Sequence, residues 1–132
     1  PYRRQRQMCI RDRLQTMKEA VEDHRASNKQ APRSMYGKIV AEADRIINPE
    51  VSLRRAIQYG LSNYPELDEE VQYERAVAHL RSKYAYGGYL KLWIPQSSNA
   101  YQLEKLRAIL TDESKLRSIF ERLYKEEIQQ RE

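Results

Sequence analysis

The chain has 132 residues, enough for one domain with its own core, and its 33% charged and 40% apolar shares are those of an ordinary soluble globular protein. No stretch approaches the roughly 18–20 uncharged apolar residues that span a bilayer, no signal-peptide pattern opens the chain, and a lone cysteine, Cys9, excludes an internal disulfide, so a cytoplasmic setting is expected. The pI of 9.4 is carried by one end: residues 1–13 hold five arginines (Arg3, Arg4, Arg6, Arg11, Arg13) against one acid, Asp12, while the remainder holds 19 basic and 18 acidic residues, which argues against a nucleic-acid footprint on the folded body.

In chain order, Leu14, Met17 and Val21 repeat at helical spacing, and that run ends after His24 in the polar loop 25–32. Ser34 is placed to cap a helix whose apolar stripe reads Tyr36, Ile39, Val40, Ala43 and Ile47 or Ile46. Asn48-Pro49-Glu50 combines a capping side chain, a proline at the first helical position and an acid facing the helix dipole, and the helix it starts carries Val51, Ile57 and Leu61. Asp68 caps a further helix with the face Tyr73, Ala76, Val77, Leu80 and Tyr84, closed by Gly87-Gly88.

Residues 89–94 alternate Leu90, Leu92 and Ile94 with Tyr89, Lys91 and Trp93, which predicts an extended segment lying over the core without a partner strand. Asn99 and Gln102 have capping-box spacing ahead of Leu103, Leu106 and Leu110. Thr111 or Asp112 caps the last helix, with Leu116, Ile119, Phe120 and Leu123 facing inward, and the tail 125–132 is expected to fray. The fold class expected is therefore all-α: a compact domain of about six helices with one short extended segment.

Few residues in this sequence carry chemistry. There is no phosphate-cradling glycine loop and no cysteine cluster for zinc. His79 lies one step off the apolar face of its helix and reads as a boundary or surface histidine. His24 ends a helix in Val21-Glu22-Asp23-His24-Arg25, and Asp44 follows 20 residues later at the margin of an apolar face. An acid there costs stability unless it is paired or binds a metal, so Asp44 either pairs Arg45, Arg54 or Arg55 or is a ligand. Arg25, Lys29, Arg33 and Lys38 gather around the intervening loop, as a solvated loop or as a phosphate-attracting one. Ten tyrosines against one phenylalanine suggest base stacking, yet Tyr36, Tyr73 and Tyr84 fall on apolar faces where the ring packs and the hydroxyl reaches the rim.

The helix ending in Asp23-His24-Arg25, the loop with Lys29 and Pro32, and the string Tyr36-Gly37-Lys38-Ile39-Val40-Ala41-Glu42-Ala43-Asp44-Arg45 together resemble the second half of an HD-superfamily metal-dependent phosphohydrolase domain. The strings 53–61 (LRRAIQYGL) and 87–95 (GGYLKLWIP) are similar to those of a bacterial subgroup of that superfamily, so the resemblance covers about residues 14–124. It implies a divalent metal ion with Asp44 as a ligand, His24 as a catalytic residue or a contact to substrate phosphate or a second metal, Arg25 and Lys38 as phosphate contacts, and a phosphate ester or nucleotide-like substrate.

The departure is equally specific. The early histidine and the His-Asp pair of that family would precede Leu14, and no His-Asp dipeptide occurs in the chain. The string Met8-Cys9-Ile10-Arg11-Asp12-Arg13 is similar to a translated sequencing-adapter read-through. The expected layout is thus a non-native or disordered basic arm over 1–13, an HD-like helical domain over 14–124 that lacks its N-terminal helices and leaves an apolar face open to self-association, and a charged tail over 125–132. Such a chain is expected to be inactive alone. The alternatives are a helical interaction module, binding nucleic acid through its basic arm, and a pseudoenzyme on the HD scaffold.

Overall fold

The computed structural model describes residues 2–132. Six helices follow one another: α1 (Tyr2–Asp23), α2 (Met35–Asp44), α3 (Pro49–Asn63), α4 (Glu69–Tyr84), α5 (Ser98–Thr111) and α6 (Glu113–Arg131), with no strand among the described residues. Local chemistry sets most helix starts. Ser34 Oγ accepts from the Gly37 N–H at 2.9 Å, Asn48 Oδ1 from Val51 at 3.1 Å, Asp68 Oδ1 from Val71 at 2.9 Å and Asp112 Oδ1 from Lys115 at 3.2 Å. Each cap satisfies an amide the helix leaves orphaned and contributes about 1 kcal/mol.

The core lies among α3, α4, α5 and α6. Leu53 and Ile57 of α3, Ala76 and Leu80 of α4, Leu106 of α5 and Leu116, Phe120 and Leu123 of α6 are sealed from solvent. The Phe120 ring meets the edge of Tyr73 at 5.0 Å and stacks on Tyr124 at 5.6 Å. After α4, Gly87 takes a φ of +81°, a left-handed conformation that glycine adopts without strain. The turn lets Tyr89 and Leu90 donate back to the Ser82 and Lys83 carbonyls at 3.1 and 3.0 Å. Leu90 thereby enters the core and Leu92 packs on it, as the alternation in 89–94 predicts.

Four local expectations need correction. Helix α1 begins at Tyr2 instead of Leu14, because nothing from Tyr2 to Asp23 breaks a helix, so residues 2–13 are helical and not disordered, although Arg3 to Arg13 are all exposed. The Asn99–Gln102 capping box does not form. Ser97 caps α5 by accepting from Ala100 at 3.1 Å, while Asn99 takes the Ile47 N–H on Oδ1 at 3.2 Å and donates from Nδ2 to the Glu42 carbonyl at 2.8 Å. With the Ser97–Glu42 hydrogen bond, these contacts fasten the end of α2 to the body.

The tail does not fray: α6 runs to Arg131 because Glu127 is buried against Arg54 and Gln58, Ile128 packs on the core and Arg131 Nη2 donates to Ser62 Oγ at 3.1 Å. The fourth correction concerns α1 and α2. These helices pack on each other through their smallest residues, Ala20 against Gly37 with Ala41 also buried, and the predicted stripes turn outward. Met17 is 50% exposed, Val21 65%, Tyr36 48% and Ile39 51%, while past the helix Ile47 and not Ile46 is buried. Close approach across small residues wins here because the described chain offers no second surface for the larger ones. Tyr36 therefore does not pack its ring as predicted, and Tyr73 buries its hydroxyl without a partner instead of sending it to the rim.

Candidate functional site

Of the residues singled out in the sequence, His24 and Arg25 follow the end of α1, Lys38 lies in the first turn of α2 and Asp44 at its last residue, while His79 lies on α4. Asp23 is held below the ordinary carboxylate pKa by Arg33, whose Nε and backbone N–H both reach Oδ2 at 3.0 Å. Arg33 also binds Glu22 at 2.7 Å and Glu19 at 3.9 Å, so three carboxylates neutralise it and it adds no net attraction for a phosphate. His24 is half-buried and its Nδ1–H donates to the Val21 carbonyl, which leaves Nε2 as the atom available to a ligand. Arg25 is exposed and Lys38 half-buried, and neither side chain forms an ion pair among the described residues.

Asp44 closes α2, exposed to solvent. It pairs with none of Arg45, Arg54 and Arg55 within 4.0 Å; Arg54 is taken by Glu50, Glu126 and Glu127. Its neighbour Arg45 turns inward, is 5% exposed and donates from Nη2 to the Arg25 carbonyl at 3.3 Å. Burial lowers the Arg45 pKa, opposed by the charges of Asp44 and Glu42, and its Nε and Nη1 find no hydrogen-bond partner. The segment carrying Asp44 is thus joined to the residue following His24.

That link does not amount to a metal centre. Among the described residues no three His, Cys, Asp or Glu side chains form a group able to hold a metal ion. A divalent ion bound by protein needs several such ligands in a fixed geometry. The residues of this chain do not by themselves fit the metal that the resemblance implies.

A second constellation lies elsewhere, joining His79 to Arg55 and Tyr59, which the sequence does not connect with it. Between α3 and α4 runs a cleft of about 440 Å³, bordered by Arg55 and Tyr59 on one side and Arg75, His79 and Lys83 on the other, with Ser52, Ala56, Leu80 and Tyr84 also lining it. Positions 75, 79 and 83 follow each other at four-residue spacing and so share one face of α4. That spacing was legible; its meeting with Arg55 and Tyr59 across the helix pair was not.

Arg75 is held against the wall of this cleft. Its Nη2 donates to the Ala56 carbonyl at 2.6 Å, and its guanidinium lies 5.4 Å from the Tyr59 ring and 5.7 Å from that of Tyr64. The arrangement depends on Gly60, where an added Cβ would run into Arg75 Nη2 and Gln72 Oε1. The His79 pKa is lowered by burial, then by the positive charges of Lys83 and Arg75. Comparison with family models, with curated proteins and with solved structures gives no match.

Proposed function

We propose that the chain carries the C-terminal portion of a metal-dependent phosphohydrolase site for a phosphate ester or nucleotide-like substrate, and that it has little activity alone. In this reading Asp44 is a metal-binding carboxylate, His24 meets substrate phosphate or a second metal through Nε2, and Arg25 and Lys38 draw the phosphate in. The observation that carries it is the Arg45–Arg25 hydrogen bond, which joins the two segments bearing Asp44 and His24. The exposed large apolar side chains Met17, Val21, Tyr36 and Ile39 on α1 and α2 support a site completed by further polypeptide, since exposed apolar surface marks contact. With the ligand set incomplete, no hydrolytic step is attributed to these residues alone.

The test has two arms. The purified chain is incubated with manganese, magnesium, iron or zinc, desalted, and its metal content read by elemental mass spectrometry; the expected result is far less than one ion per chain. Retention of about one ion per chain, lost in Asp44→Ala, would overturn the incomplete site. The second arm extends the chain with the residues encoded directly upstream of Pro1 and follows hydrolysis of p-nitrophenyl phosphate. Metal-dependent turnover abolished by Asp44→Ala is expected, and an extended chain whose turnover ignores that substitution sinks the hydrolase reading.

One observation favours a second reading. The N-terminal half of α1 presents Arg3, Arg4, Arg11 and Arg13 on an exposed helix, as a nucleic-acid-binding element does. Removal of residues 1–13 would then abolish binding to duplex DNA or RNA, and binding by the intact chain would fall steeply with salt. Salt-insensitive behaviour excludes it.

A further inference from the structure

Five arginines of this protein are matched by carboxylates. Arg54, Arg107, Arg117 and Arg122 each pair with one or more carboxylates, as Arg33 does in the loop. What sets the cleft between α3 and α4 apart is convergence without compensation: among the described residues no carboxylate lines it, and none of Arg55, Arg75, His79 and Lys83 forms an ion pair. Arg75, His79 and Lys83 are stacked along one face of α4, an arrangement that repels itself. The charges perturbing His79 are those of Lys83 and Arg75, with no acid opposing them. A concave, uncompensated positive site concentrates anions.

The cleft has a second character. Its volume of about 440 Å³ is that of a small-molecule pocket, and Ile46, Ala56, Leu80 and the Tyr59 ring give its lining an apolar part beside the cations and Ser52. Arg75 is already fixed by the Ala56 carbonyl and the two tyrosine rings, so presenting its charge to a ligand costs little side-chain entropy. We propose that this cleft binds a small phosphate monoester bearing a planar organic group, with the phosphate among Arg55, Arg75, His79 and Lys83 and the planar group against Tyr59. The proposal does not rest on the hydrolase reading, whose residues His24, Arg25, Lys38 and Asp44 lie outside the cleft.

The test is calorimetric titration of the full chain at low salt with a nucleoside monophosphate, the matching nucleoside, inorganic phosphate and a short single-stranded oligonucleotide. The monophosphate binds saturably, inorganic phosphate more weakly, and the nucleoside not at all. Arg55→Ala and Lys83→Ala each weaken monophosphate binding about tenfold, the loss expected for one charge-assisted hydrogen bond, whereas Lys125→Ala, on the exposed side of α6, leaves it unchanged. Tyr59→Leu weakens the monophosphate but not inorganic phosphate. Thermal melts of each variant verify that it is folded. In proton NMR the His79 ring resonances shift on saturation and those of His24 do not, which separates this cleft from the proposed hydrolase residues. The proposal is overturned by absence of saturable binding at millimolar monophosphate, by equal loss in Lys125→Ala, by a shift at His24 in place of His79, or by binding of the oligonucleotide alone.

Discussion

Arg54 of α3 places Nη1 2.9 Å from Oε1 of Glu127, a carboxylate that α6 buries to 3% exposure. Gln58 donates to the same oxygen at 3.2 Å, so two side chains of α3 converge on one acid near the end of the chain. A buried carboxylate is tolerated only with such partners. Glu127→Ala removes the acceptor from both, and a loss of about 1–2 kcal/mol in urea denaturation is expected. A variant ending at Tyr124 should lose more, because Ile128 and Arg131 leave with it. Unchanged melting of that truncated chain would mean the last turns of α6 contribute nothing.

The two sides of the molecule should respond oppositely to truncation of large apolar residues. Phe120 is fully buried between Tyr73 and Tyr124, and Phe120→Ala is expected to cost about 3–5 kcal/mol through the cavity it leaves. Met17→Ala and Ile39→Ala, at residues about half exposed, should stay within about 0.5 kcal/mol. Chemical denaturation of the three variants checks this. A large loss at Met17 or Ile39 would show that the α1–α2 face is covered in solution, for instance by a second copy of the chain.

Arg45 is the reverse of a stabilising charge. Its guanidinium is buried, two of its three nitrogens lack partners and its one hydrogen bond, to Arg25, is long at 3.3 Å. Replacing such a group with an apolar side chain of similar length removes a desolvation cost. Arg45→Met is expected to be neutral or to stabilise the isolated chain by about 1 kcal/mol. A loss of several kcal/mol on denaturation would mean that the two orphaned donors are satisfied in solution.

Acid should weaken the fold through surface carboxylates held by arginines. Glu126 has its pKa lowered by hydrogen bonding to Arg54, Glu70 by hydrogen bonding to Arg117, and Asp23 by hydrogen bonding to Arg33. A carboxylate with a depressed folded-state pKa binds fewer protons than in the unfolded chain. Its contribution is therefore complete above the unfolded values of 4.5 for the glutamates and 3.8 for the aspartate, and is lost as pH falls through the folded values. The thermal midpoint should decline below about pH 4.5, and Glu70→Gln combined with Glu126→Gln should flatten that decline. An equally steep profile in the double variant would place the acid sensitivity elsewhere.

What the sequence determined by itself is what neighbours along the chain decide. The caps at Ser34, Asn48, Asp68 and Asp112 act within three residues of themselves, so the helix starts they mark appear where the sequence puts them. The apolar faces of α4, α5 and α6 are likewise legible, because each is wide, periodic and met by another helix. The stripes of α1 and α2 are equally periodic yet face solvent. Periodicity records which face is apolar and not whether a partner covers it, and here the Ala20–Gly37 approach decided the packing. Only tertiary structure ordered the end of α6, through residues some seventy positions away in sequence. Only tertiary structure, too, set Arg55 and Tyr59 across from Arg75, His79 and Lys83, since a cleft between two helices belongs to neither sequence segment alone. Hydrogen bonds and apolar contacts that close long loops are chosen by the whole packed assembly, and local residue order carries little trace of them.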